Sequence, residues 1–147
     1  GIVGTVLFPK IAKERNVLLF RKTVLVLFAC TLGLVIVLNL FLPQVVHFFI
    51  DEEIDLLPIR LYLLAPVIVG VSSFISSNLM VALGYTKYVL YSIIVTTAVY
   101  LSLLAGMYFM DYLTSVTSFV LLTVASYLGE LIYRLRIMFK IERLEHT

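Results

Sequence analysis

Glu130 and Arg60 are the ionisable residues set against long apolar runs where a charge could do chemistry, and Ser72, Ser73, Ser76, Ser77 and Asn78 form the densest polar cluster inside one. An ionisable group at membrane depth is a functional suspect by default, so Glu130 is a candidate for ion or proton coupling. Arg134 follows one helical turn later in the favourable i, i+4 order, so a structural salt bridge is the competing reading. Arg60 stands just after Pro58, where a guanidinium suits a diphosphate or an acidic sugar; pairing with Asp55 is the simpler role. Ser73 and Ser77 become substrate-binding if their face lines a polar cavity, and packing residues if it meets another helix. Covalent catalysis finds no support: there is no glycine-rich phosphate loop, nucleophile elbow or pair of catalytic carboxylates on one helix, so neither an enzyme nor a cofactor is expected. The single Cys30 permits no intrachain disulfide or cysteine metal site, and His47 has only the distant His146 for company.

These groups must be positioned by membrane helices. Hydrophobic residues make up 62% of the 147 and charged ones 14%, more apolar surface than a soluble chain of this length can hide. Four segments, near 23–42, 56–83, 87–110 and 112–134, each supply the roughly 20 helical residues a bilayer needs. Gly84-Tyr85-Thr86 and Asp111 separate the last three so tightly that neighbours must run antiparallel. The expected fold is therefore an all-α membrane protein of four antiparallel transmembrane helices. Residues 1–22 form the end of a preceding span and a basic connector; 135–147 form a basic tail. The chain opens at Gly1 on GIVGTVLFP, its first methionine being Met80, which reads as a fragment of a longer membrane protein.

Charge sets the orientation. Lys10, Lys13, Arg15, Arg21 and Lys22 precede the first span, Lys87 follows the second, and Arg134, Arg136, Lys140 and Arg143 follow the fourth. Asp51, Glu52, Glu53, Asp55 and Asp111 occupy the alternate loops, and only Arg60 among the Lys and Arg residues breaks the pattern. Both ends are thus expected in the cytoplasm. No free basic face remains for nucleic acid. The segment Pro9–Lys22 reads either as an amphipathic linker on the anionic inner leaflet or as a plain connector. Tyr85, Tyr88 and Tyr91 at one end of the third span, and Tyr108 and Phe109 at the other, suit an interfacial aromatic belt.

In the second span Gly70, the serines and Gly84 build a small-residue face, with Pro66 bending the helix upstream; Asn78 points to the bulky side, within reach of headgroups. In the fourth, Thr114, Ser115, Ser118, Ala125, Ser126 and Gly129 share an arc of roughly 120°, bordered by Glu130. Asn39 in the first span is placed for an interhelical hydrogen bond.

The succession FPKIAKERN, basic connector, apolar span, acidic loop and LLAPVIVGVSSFISSNLMVALGYTKY resembles the C-terminal part of the oligosaccharide flippase family, the Wzx-type O-antigen translocases of the multidrug/oligosaccharidyl-lipid/polysaccharide exporter superfamily. Ser76, Ser77, Asn78, Leu83, Gly84 and Lys87 match that family's stretch closing the tenth span, and Glu130 with Arg134 match its glutamate before a basic tail. The resemblance covers the whole chain and makes its spans nine to twelve of a twelve-helix, two-lobe transporter. It implies a flippase carrying undecaprenyl-diphosphate-linked oligosaccharide across a bacterial or archaeal cytoplasmic membrane, with the lipid bilayer, the lipid-linked cargo and the remaining N-terminal spans as partners. A drug or metabolite exporter of the same superfamily, a complete GtrA-like four-span protein and a purely structural membrane subunit are the alternatives.

Overall fold

A computed structural model describes residues 17–49, 54–112 and 115–145. The expected features at 1–16, at Asp51, Glu52 and Glu53, at Thr114 and at His146 lie outside the described residues. Among the described residues the chain is all-helical. Helix α1 is Val17–Phe49, α2 is Leu57–Tyr62, α3 is Ala65–Ile75, a π-helical turn covers Ser76–Met80, α4 is Thr86–Phe109 and α5 is Val116–Glu145. Four stretches, Leu19–Phe49, Leu57–Met80, Thr86–Phe109 and Val116–Ile141, are long and apolar enough to cross a membrane, which makes this a multi-pass membrane protein.

The first span does not stop at residue 42 as expected. Helix α1 continues through Pro43 to Phe49 and takes His47 into its last turn. A mid-helix proline forfeits one hydrogen bond and costs about 3 kcal/mol, whereas leaving the helix in an apolar medium bares several backbone groups at several kcal/mol each. Continuing is cheaper. Within this helix Thr23 and Thr31 donate to the carbonyls of Leu19 and Leu27. Asn39 likewise donates to Val35 O at 3.1 Å, so it makes a bond within its own helix and not the interhelical one expected.

The second span is segmented. Asp55 Oδ1 accepts the Leu57 N–H at 2.9 Å and starts α2. Pro66 cannot donate to the carbonyl one turn back, and the helix breaks at Leu63–Leu64 just before it, where the sequence places a bend. A second irregularity follows at the serines, where Val81 N–H reaches past its usual partner to Ser76 O at 3.0 Å. The span then closes on Gly84 with φ +81°. Tyr85 N–H donates to Met80 O and Gly84 N–H to Val81 O, the paired bonds of a Schellman cap.

The next turn repeats that cap. Tyr112 N–H donates to Met107 O and Asp111 N–H to Tyr108 O, with Asp111 holding the left-handed position at φ 56°. Aspartate is one of the few side chains that tolerates it. Ser115 then accepts the Ser118 N–H as an N-cap for α5, so these two serines start the helix instead of lining its small face.

The core sits at one end of the bundle. Phe20, Val24, Ile75, Leu79, Met80, Met138 and Ile141 are buried together, with Tyr85 and Val89 packed alongside. The start of α1, the end of the π-turn, the start of α4 and the end of α5 therefore share an end, as antiparallel neighbours must. Phe20 stacks on Phe74 with centroids 5.3 Å apart. This packing explains why the fourth helix outruns its expected end at 134. Met138 and Ile141 are buried in the cluster shared with Phe20 and Val24 of α1 and with Ile75, Leu79 and Met80 of the second span, and Leu135 and Ile137 pack against it, so residues 135–141 keep an apolar face to bury. The expected tail is helix through Glu145.

Candidate functional site

Arg134 is the centre of the site, and only 5% of it is exposed. A guanidinium carries its N–H groups in a rigid planar fork, so one arginine can bond several helices at once. Its Nε donates to Ser92 Oγ on α4 at 3.2 Å. Its Nη1 donates to Ser72 Oγ at 3.0 Å and Ser76 Oγ at 3.3 Å on the second span. Its Nη2 pairs with Glu130 Oε1 on its own helix, the partner that the i, i+4 spacing implies. The serines are satisfied in turn: Ser76 donates to Ser73 O and Ser92 to Val89 O. Three spans are tied through one side chain, and no buried side-chain polar atom among the described residues lacks a partner.

Local geometry explains which serines take part. Ser72 and Ser76, one turn apart, lie on the buried stripe with Ile68, Val71, Ile75 and Leu79. Ser73 and Ser77 lie about 100° further round the helix and are exposed, facing away from Arg134. Ser77 donates to Ser73 O, and Asn78 donates to Phe74 O and to Ser77 Oγ. Asn78 is buried, contrary to the expectation that it reaches headgroups. Arg60 is exposed at the far end of the second span and makes no ion pair among the described residues. Asp55, its expected partner, caps Leu57 instead. The structure thus brings Glu130 into a cluster but leaves Arg60, Ser73 and Ser77 outside it.

Beside the cluster, α4 and α5 part to form a crevice of about 290 Å³. Thr96, Thr97 and Tyr100 line it from α4, and Thr123, Tyr127 and Glu130 from α5. On the other side of the bundle an apolar groove of about 420 Å³ runs between α1, the second span and α5, past Phe28, Leu32, Val67, Ile68, Leu128 and Leu131.

No protein-family model matches this chain, and neither does any curated protein or solved structure. The site therefore rests on its own geometry. Sequence reasoning singled out Glu130, with Arg134 as its partner, but placed Arg134 in the basic tail. It missed Ser92 and the hydroxyls of α4 entirely. The available signal was periodic: Ser92 and Thr96 stand one turn apart, as do Thr123, Tyr127 and Glu130 beyond them, along one helix face.

Proposed function

We propose that this chain forms part of a transporter that flips undecaprenyl-diphosphate-linked oligosaccharides from the inner to the outer leaflet of a cytoplasmic membrane. The observation that carries the reading is the segmented second span, broken before Pro66 and again at the π-turn, with a satisfied polar cluster beside the second break. Backbone irregularity at membrane depth is tolerated where it meets protein or an aqueous path, and broken helices recur at transport sites. The arginine clamp makes the second, third and fourth spans one body, which suits alternating access by rocking of two helical lobes. In this reading the chain supplies part of one lobe, both its ends are cytoplasmic, and it performs no covalent step.

Lipid-linked cargo is favoured over a soluble drug or metabolite by the all-apolar groove lined by Val24, Phe28, Val71 and Leu135, which suits an isoprenoid chain. Deleting the gene in its source organism is the test. The expected result is loss of a surface polysaccharide and accumulation of its lipid-linked precursor, measured by mass spectrometry of extracted lipids. Normal polysaccharide with no accumulated precursor contradicts the proposal.

A further inference from the structure

Hydroxyls inside a membrane helix ordinarily bond back to their own backbone, because lipid offers no other partner. Most in this chain do. Thr23, Thr31, Ser102, Thr123 and Ser126 each donate to a carbonyl three or four residues earlier. Thr96 and Thr97 do not, nor do Ser73, Thr86 and Thr117; the phenols of Tyr100 and Tyr127, too long to bond back to their own turn, also make no hydrogen bond among the described residues. Thr96, Thr97, Tyr100 and Tyr127 line the same crevice between α4 and α5, together with the carboxylate of Glu130. What sets these four apart is convergence: hydroxyls from two helices face one crevice, accessible and open to a ligand, which is the arrangement of a site.

We propose that this crevice binds a neutral, hydroxyl-rich ligand the size of a single sugar ring. Volume sets the size, since about 290 Å³ lies at the small end of ligand pockets, which start near 300 Å³. Charge balance sets the class. Glu130 is neutralised by Arg134, so the crevice offers no net negative charge to hold a free cation. Arg134 is itself spent on Glu130, Ser72, Ser76 and Ser92, so no guanidinium is left to grip a phosphate. What remains are donors and acceptors in one, flanked by the rings of Tyr100 and Tyr127, which suit the alternating hydroxyl and C–H faces of a pyranose. The inference rests on the transporter reading for the source of the sugar. It assigns this crevice to the glycan of the cargo and the diphosphate to another part of the transporter.

The test uses the purified full chain in dodecylphosphocholine micelles, which carry no sugar, and saturation-transfer NMR. The probes are the methyl glycosides of glucose, galactose, mannose and N-acetylglucosamine, with glucose 1-phosphate alongside. At least one neutral glycoside should receive saturation, with affinity lowered about tenfold by Thr97→Val/Tyr127→Phe, the loss of one or two hydrogen bonds. Glucose 1-phosphate should bind more weakly than methyl glucoside. Circular dichroism checks the variant; if it has lost helix, the single substitutions are read in its place. Transfer to none of the glycosides, transfer unaffected by the substitutions, or preference for the phosphate overturns the inference. Glycoside binding without a deletion phenotype would retain the site and sink the flippase reading; a phenotype without glycoside binding would do the reverse.

Discussion

Replacing Arg134 by methionine is expected to lower the free energy of unfolding by about 3–5 kcal/mol, the range for breaking a buried ion pair from one side. The serines contribute little of that. Ser76 and Ser92 keep their bonds to Ser73 O and Val89 O, and each lost interhelical bond is worth only about 0.6 kcal/mol in a membrane protein. The main cost is the Glu130 carboxylate, left at membrane depth without its counter-charge and with only the neutral hydroxyls of the crevice beside it. Two further variants separate these terms. Glu130→Leu/Arg134→Met should recover most of the stability, because apolar replacement of a whole buried pair is often neutral. Arg134→Lys should recover only part, since a single ammonium cannot reach Glu130, Ser72 and Ser92 together. Unfolding in mixed micelles with increasing dodecyl sulfate, followed by circular dichroism, provides the comparison.

Phe20→Ala is expected to cost about 2–3 kcal/mol and to loosen α1 selectively. In a water-soluble core such a truncation costs about 3–5 kcal/mol, but part of that is transfer from water, which lipid tails largely cancel. The cavity term and the lost ring pair with Phe74 survive. Phe20 is fully buried, stacked on Phe74 of the second span within the cluster that also holds Met138 and Ile141, whereas much of the rest of α1, from Leu25 and Val26 to Phe48 and Phe49, is exposed. Its removal therefore weakens the best-packed anchor of that helix. Hydrogen exchange should quicken in the first turns of α1 and around Phe74 in the second span, with the middle of α4 unchanged. A uniform change across all helices, or none, contradicts this assignment of the anchor.

How much of this the residues announced varies by element, for physical reasons. The spans were plain, because four long apolar stretches allow few alternatives, and Gly84 and Asp111 sit where the two Schellman caps put them. Helix ends were harder. Pro43 and the basic residues after 134 are stop signals in water, but lipid penalises an open backbone at Pro43, and tertiary packing of Met138 and Ile141 carries α5 onward. The serine cluster was legible as a packing face but not in its orientation. Neighbouring serines differ by about 100°, and the residue that selects Ser72 and Ser76 lies 62 and 58 positions later. The crevice was hidden for a different reason. In sequence, Thr96 and Thr97 look like any membrane threonine; only the packing of α4 beside α5 brings them to one crevice with Tyr127 and Glu130.

Arg134 ties the second span and α4 to α5 through Ser72, Ser76 and Ser92, and the proposed rocking of a lobe depends on that tie. A double-mutant cycle between Ser72→Ala/Ser76→Ala and Arg134→Met, read as unfolding free energies in mixed micelles, tests it most directly. The clamp predicts a coupling of about 1 kcal/mol, two interhelical bonds lost together. Costs that add within the usual tolerance for independent sites, about 0.3–0.5 kcal/mol, would contradict it.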